Sequence, residues 1–302
     1  MRRTLLAAMT AIAAVAWGAA ARAQDWKAKY PELVFAIIPA ENAQSVSERW
    51  GPAVEHMSKR LGVKVTLRLA NDYAAVIEGQ KAGHIHIAGY GPSAFARALT
   101  TGARLEAIAQ DVNLDGSKGY YSVFYVRKDS PYRKLEDLKG KNLGLVDPNS
   151  ASGNSVPRFA MHKMGIDPDT FFAKVVYTGS HENAIIALRQ GTVDVAANWW
   201  NDENESLLMR MDRKKMARYA DFRIVFKSDL IVNAPIAVLA SLPADLKARI
   251  QATILDLAKD APEAFRKATD GKAKPWEPVD NRAYDPIVEL DRFLDGLRKK
   301  KF

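Results

Sequence analysis

The chain has 302 residues, 48% of them hydrophobic and 26% charged, which excludes disorder over most of its length and suffices for two compact lobes. It has no cysteine, which excludes disulfides and a cysteine-linked lipid anchor. The formal charge of +9 favours anionic partners. The clearest basic runs, "DRKKMAR" from Asp212 and "RKKK" from Arg298, lack interleaved aromatic residues and read as solvated helix faces, so no nucleic-acid partner is expected.

Arg2 and Arg3 precede an apolar run from Leu5 to Gly18, and "ARA" at Ala21 to Ala23 supplies the small residues that a signal peptidase reads. The expectation is an export signal over 1–23, cleaved after Ala23, and a periplasmic protein. The apolar run is too short for a comfortable membrane span. Loss of Arg2, Arg3 and Arg22 takes the charge from +9 to +6, which is still basic.

Beyond the leader, strands and helices alternate. "ELVFAIIP" reads as an apolar strand, "SVSERWGPAVEHMSKRLG" as a helix ending at Gly62, and "KVTLRLA" as a half-buried strand. "YAAVIEGQKAG" and "PSAFARALTTG" continue as helices, the latter with Pro92 in its first turn, and "HIHIAG" and "LEAIAQDV" as strands. A long β-rich run, "GYYSVFYVRKDS", leads into a second α/β set, which closes near another extended run, "FRIVFKSDLIVNAPIAVLA". Two extended crossovers bracketing an α/β unit predict two lobes, each a mostly parallel sheet flanked by helices, joined by a two-stranded hinge. Residues 24–126 and 227–302 form the first lobe in this reading, and 127–226 the second.

Three segments place polar residues at a helix start just beyond a strand: "NDY" before "AAVIEG", "SASGN" before "VPRFAMHKM", and "GSHEN" before "AIIALRQG". Helix N-termini offer unpaired N–H groups and the positive end of the helix dipole. Ser150 and Ser152 add hydroxyls, and Gly153 presents no side chain to hold an oxyanion away from the backbone. Two readings stand: a cradle for a tetrahedral oxyanion, or a serine serving only as helix cap. His84 and His86, two apart on a strand, have no third metal ligand nominated by the sequence. No GxSxG elbow, Walker loop or GxGxxG fingerprint is present.

With "FAIIPAENA", "LANDYAAVIEGQKAG", "IAGYGPSAFA", "LEDLKGKNLGLVDPNSASGNSVPRF", "GSHENAIIALRQGTVDVAA" and "FKSDLIVNAPIAV", nearly all of the chain beyond the leader resembles the phosphonate-binding periplasmic components of ABC importers. These are type II periplasmic binding proteins. The resemblance implies binding without catalysis: a monomer whose two α/β lobes close over a phosphonate or related phosphorus oxyanion, with no cofactor or metal, and deliver it to an inner-membrane permease. It places headgroup contacts at Tyr73 and Tyr90 in the first lobe and at Ser150, Ser152 and His181 in the second. Backbone N–H groups of Ala151, Ser152 and Gly153 join them. The family commonly has threonine between the two serines, where this chain has Ala151.

Family members that take 2-aminoethylphosphonate hold its ammonium with carboxylates at positions matching Asn201 and Ala234, neither of them acidic here. A small uncharged substituent is therefore expected, with Trp199 and Trp200 as packing surface or lobe core and Asp202 and Glu203 as neighbouring acids. The alternatives are a phosphite or phosphate binder, a ferric-ion binder on the same scaffold, and a serine hydrolase using Ser150 or Ser152 with His181.

Overall fold

A computed structural model describes residues 26–299, so the expected leader and its cleavage site lie outside the described residues. The first sheet draws on β1 (Glu32–Ile37), β2 (Lys64–Leu69), β3 (Ile87–Gly89) and β4 (Leu105–Asn113), with α1 (Ala43–Leu61), α2 (Tyr73–Lys81) and α3 (Pro92–Thr100) between them. The second draws on β5 (Gly119–Arg127), β6 (Asn142–Leu145), β7 (Lys174–Tyr177), β8 (Val195–Asp202), β9 (Glu205–Ser206), β10 (Phe222–Lys227) and β11 (Ile231–Val232). Its longer helices are α4 (Val156–Lys163), α5 (His181–Gln190) and α6 (Leu207–Arg213). The chain then returns to the first sheet through β12 (Pro235–Leu239), α7 (Ala244–Leu255), α8 (Pro262–Ala268) and β13 (Ala273–Glu277), and ends its described part in α9 (Asp285–Lys299).

The six-stranded sheet has the order β13-β4-β12-β3-β1-β2, and the seven-stranded sheet has the path β10-β5-β8-β6-β7 with β11 on β5 and β9 on β8. Parallel pairs occupy one side of each sheet, where β1 meets β2 and β3, and β6 meets β7 and β8. Strands adjoining the crossovers, β12, β5 and β10, pair antiparallel because a chain returning from the other lobe enters from the opposite end. Both sheets are therefore mixed.

Because β5 pairs with β8 and β10, residues 119–126 belong to the second sheet, and the first crossover falls at 114–118, ahead of the expected boundary at 126. The return crossover occupies 228–234, close to the expected one. The two run side by side: Ile231 and Val232 pair with Tyr120 and Gly119, and Ser228 N–H donates to Ser122 O at 2.9 Å.

Local sequence fixes the helix starts that matter. Asn42, Asp72 and Ser180 cap α1, α2 and α5 by accepting from the N–H of Ser45, Ala75 and Asn183 at 3.0, 2.7 and 3.1 Å. α2 and α5 directly follow the carboxyl ends of parallel strands β2 and β7, and the segment after β6 does the same. In open α/β sheets this is the edge where ligands bind.

Candidate functional site

Ala151–Ser155 winds as a single π-helical turn, with Ser155 N–H donating to Ser150 O at 3.0 Å and Val156 N–H to Ala151 O. Such turns occur mostly as isolated, functional insertions in helices. Ser150 Oγ accepts from Gly153 N–H at 3.1 Å, so Ser150 does cap this turn, and its own O–H remains available as a donor. The N–H groups of Ala151 and Ser152 lie in the first turn, where no intrahelical acceptor exists. Ser152 O accepts from Ser122 Oγ at 2.6 Å, which ties the turn to β5.

Ser150, Ala151 and Ser152 open into a cavity of about 230 Å³ between the lobes, which Tyr73, Tyr90, His181 and Asn201 also line. Gly153 does not line it. Its N–H is committed to Ser150, and a Cβ there would stand 2.4 Å from Val146, so glycine is required by the packing of the turn against the end of β6. The expected oxyanion contact at Gly153 is corrected accordingly.

The two predicted tyrosines differ. The Tyr73 hydroxyl is buried beside Ser150 without a geometric hydrogen-bond partner, and burial followed by the Asp147 charge pushes its ionisation up. Tyr90 O–H donates to Gln80 Oε1 at 2.8 Å, and Gln80 Nε2 is held by Ala237 O at 3.2 Å. Tyr90 lines the cavity, but its hydroxyl proton serves the first-lobe core, contrary to its expected role. The tyrosine not foreseen is Tyr120, in the crossover strand, which lines the cavity with its hydroxyl beside Ser152.

His181 is 4% exposed. Its Nδ1 lies 2.9 Å from Asn198 Oδ1 and its Nε2 3.4 Å from Ser150 Oγ. Burial pushes its protonation down to about 4, against the upward pull of Asn198 and Glu41. The backbone at this helix start also bridges the lobes, since His181 N–H donates to Ala40 O at 3.1 Å.

Charged groups and tryptophans line another side of the cavity. Glu41 pairs with Arg49, with Arg210 at 3.2 Å and with Lys214 at 3.0 Å; burial pushes its carboxyl up, but the three cations outweigh this and bring it to about 2. Arg210 also pairs with Glu205 at 2.8 Å and lies over the Trp199 ring. Trp50 and Trp276 stack at 5.7 Å between centroids, and Trp276 Nε1–H donates to Asp111 Oδ1 at 2.6 Å. Asp111 is in no ion pair among the described residues, and burial raises its carboxyl above the usual range.

Asn201 Nδ2 donates to Asn113 Oδ1 at 3.1 Å, and both residues line the cavity with Ala234. Trp199 lines it too, whereas Trp200 packs against Tyr121 and Lys227. Asp202 accepts from Asn204 N–H and Glu203 from Tyr219 O–H, and neither reaches the cavity. Glu41, Arg49 and Asp111 converge through the tertiary packing of the first lobe and Arg210 joins them across the cleft, so local sequence did not nominate them. Only Arg49 adjoins a tryptophan in the sequence, Trp50, so no local pattern marked the set. Among the described residues no cluster of three His, Cys, Asp or Glu is placed to hold a metal ion.

Two α/β lobes joined by paired crossovers around a cavity are the architecture of a two-lobed binding protein. The chain belongs to the family described as ABC transporter, phosphonate, periplasmic substrate-binding protein, whose model matches residues 35–284. It is similar to the phosphonates-binding periplasmic protein of Escherichia coli (strain K12), 35% identical over 89% of this chain and 79% of that protein. It is also similar to the phosphate-import protein PhnD of Mycolicibacterium smegmatis, 26% identical over 97% of this chain and 92% of that one. Among solved structures, the binding protein component of an ABC phosphonate transporter from Pseudomonas aeruginosa superposes with a TM-score of 0.78 at 29% identity, covering 87% of this chain and 86% of that one. The fold is shared with PhnD1 of Prochlorococcus marinus in complex with methylphosphonate, at a TM-score of 0.78 and 21% identity over 88% and 98% of the two chains.

Proposed function

We propose that the cavity holds a phosphonate, with the oxyanion in the π-turn cradle and the substituent toward Trp199, Trp276 and Asp111. The bound molecule passes unchanged from the periplasm to an ABC permease. The observation that carries this reading is the convergence of Ser150, Ser152, His181, Tyr73 and Tyr120 on one cavity from two lobes and a crossover. The serines and tyrosines supply neutral donors and the π-turn supplies helix-terminal N–H groups suited to an oxyanion, with His181 beside them, and the family membership gives the oxyanion its phosphorus.

The expectation of an uncharged substituent rested on Asn201 and Ala234. Asp111 changes that argument. It brings to the same cavity a half-buried carboxylate that makes no ion pair among the described residues, with Arg49 and Arg210 acting on it only from farther away, and an ammonium there would offset its desolvation. Calorimetry with methylphosphonate, 2-aminoethylphosphonate, phosphite, phosphate, sulfate and ferric ion tests the reading. A phosphonate is expected to bind one to one and be recovered intact. The aminoalkyl ligand is expected to bind more tightly than methylphosphonate, with that advantage lost in Asp111→Asn. Ferric binding, or release of a cleaved fragment, overturns it.

A further inference from the structure

The side chain opposite His181 fixes where its proton sits. Asn198 Nδ2 donates to His181 O at 2.9 Å, while Asn198 Oδ1 accepts from Trp199 N–H at 3.0 Å. The amide orientation is thus set by two backbone partners, and the atom facing His181 Nδ1 is an acceptor. Nδ1 must carry the hydrogen. A neutral imidazole has only one, so Nε2 presents a lone pair to the cradle, beside Ser150 Oγ.

The charges around the ring leave it neutral near pH 7. Glu41, from the loop after β1, is already neutralised by Arg49, Arg210 and Lys214. Glu182, the next residue on α5, turns to Asn42 N–H and Nδ2 and lies 3.9 Å from Lys214. From β8 the ring meets Asn198, and from the cradle side Ser150; neither carries charge. Burial disfavours the imidazolium further.

We propose, building on the functional reading above, that His181 Nε2 is a proton acceptor in the cradle and that the complex keeps one proton between Nε2 and the bound oxyanion. A singly protonated phosphonate brings that proton as its own P–OH, which donates to the Nε2 lone pair while the remaining oxygens take the Ser150, Ser152 and tyrosine donors. A doubly ionised phosphonate meets the lone pair with a bare oxygen, and one proton must come from solvent. Sulfate and sulfonates carry no proton at any pH near neutrality, so they pay that cost throughout this range. His181 thereby selects phosphorus oxyacids from sulfur oxyacids of the same shape and size, which the serines and helix N–H groups do not distinguish.

The test is the proton count on binding. Methylphosphonate is titrated into the whole protein by calorimetry in buffers of different ionisation enthalpy, below and above its second ionisation. The expected result is no net uptake below it and about one proton taken up per ligand above it, with affinity falling about tenfold per pH unit there. Asn198→Asp places a carboxylate at Nδ1 and stabilises the imidazolium, turning Nε2 into a donor; uptake is expected to vanish and methanesulfonate to bind. Should that variant fail to fold, the imidazole ¹⁵N shifts of wild-type His181 at pH 7 report whether Nε2 is bare. Binding above the second ionisation without proton uptake, or a protonated Nε2 in the free protein, overturns the inference. Absence of binding by both methylphosphonate and 2-aminoethylphosphonate at every pH overturns the functional reading instead and removes the basis for this one.

Discussion

Tyr90 and Tyr120 both line the cavity, yet their hydroxyls have different work, and paired substitutions separate them. Tyr120→Phe removes a donor beside Ser152 while the ring keeps its place among Ala151, Val156 and Ile231. Methylphosphonate binding is expected to weaken by about 1.5–3 kcal/mol, the range for a hydrogen bond to a charged group, with little change in Tm. Tyr90→Phe leaves Gln80 Oε1 buried without its donor and is expected to cost about 1–3 kcal/mol of stability with little effect on affinity. Calorimetry and thermal unfolding of both variants check this, and the reverse pattern would return Tyr90 to the headgroup. The difference was not legible in the sequence. Ser150, Ser152 and His181 could be found because strand-to-helix chemistry is local, whereas the destination of a tyrosine hydroxyl depends on Gln80 or Ser152 arriving from elsewhere in the chain.

At the scale of elements, α9 carries an acid on its buried face. Ile287, Asp291 and Leu294 are spaced to share one side of the helix, and Asp291 is only 4% exposed. The helix touches both lobes: Arg97 of α3 pairs with Asp295 at 2.6 Å, and Phe159 of α4 meets Phe293 edge-on. Burial raises the Asp291 carboxyl to about 6, against the downward pull of Ser155, Arg97 and Ser93. Its folded value thus lies above the unfolded 3.8. The native state binds the extra proton between about pH 6 and 4, so this contribution to stability is present below that window and lost as pH rises through it. Asp291→Asn is therefore expected to stabilise by about 2–3 kcal/mol at pH 8 and by little at pH 4, read from urea unfolding at both. A gain independent of pH would show that ionisation is not the cause. Periodicity revealed most of the strands and helices. It could not reveal that Gly119–Arg127 joins the second sheet, because that depends on pairing with Val195–Asp202 some seventy residues away.

For the whole molecule, closure rests on a band of contacts between the lobes outside the headgroup cradle. Arg210 and Lys214 of the second lobe reach Glu41 of the first, Arg213 reaches Asp270, and Asn42 N–H donates to Glu182 Oε2 at 2.8 Å. Lys214, Arg213 and Asp270 are partly exposed, so each of their pairs is worth at most about 1 kcal/mol and is screened by salt. Contacts made only when the lobes are together raise the closed population, and apparent affinity follows that population. Replacing Lys214 by Ala together with Asp270→Asn is therefore expected to weaken every ligand by a similar factor of about three to ten and to reduce the salt dependence of binding. The ratio between 2-aminoethylphosphonate and methylphosphonate should stay fixed, because neither substitution reaches the cradle or Asp111. Calorimetry of both ligands at low and high salt gives the factor and the ratio. Small-angle scattering of the ligand-free variant is expected to show a larger radius of gyration than wild type. An altered ligand ratio at unchanged dimensions would mean that these residues act on the ligand itself rather than on closure.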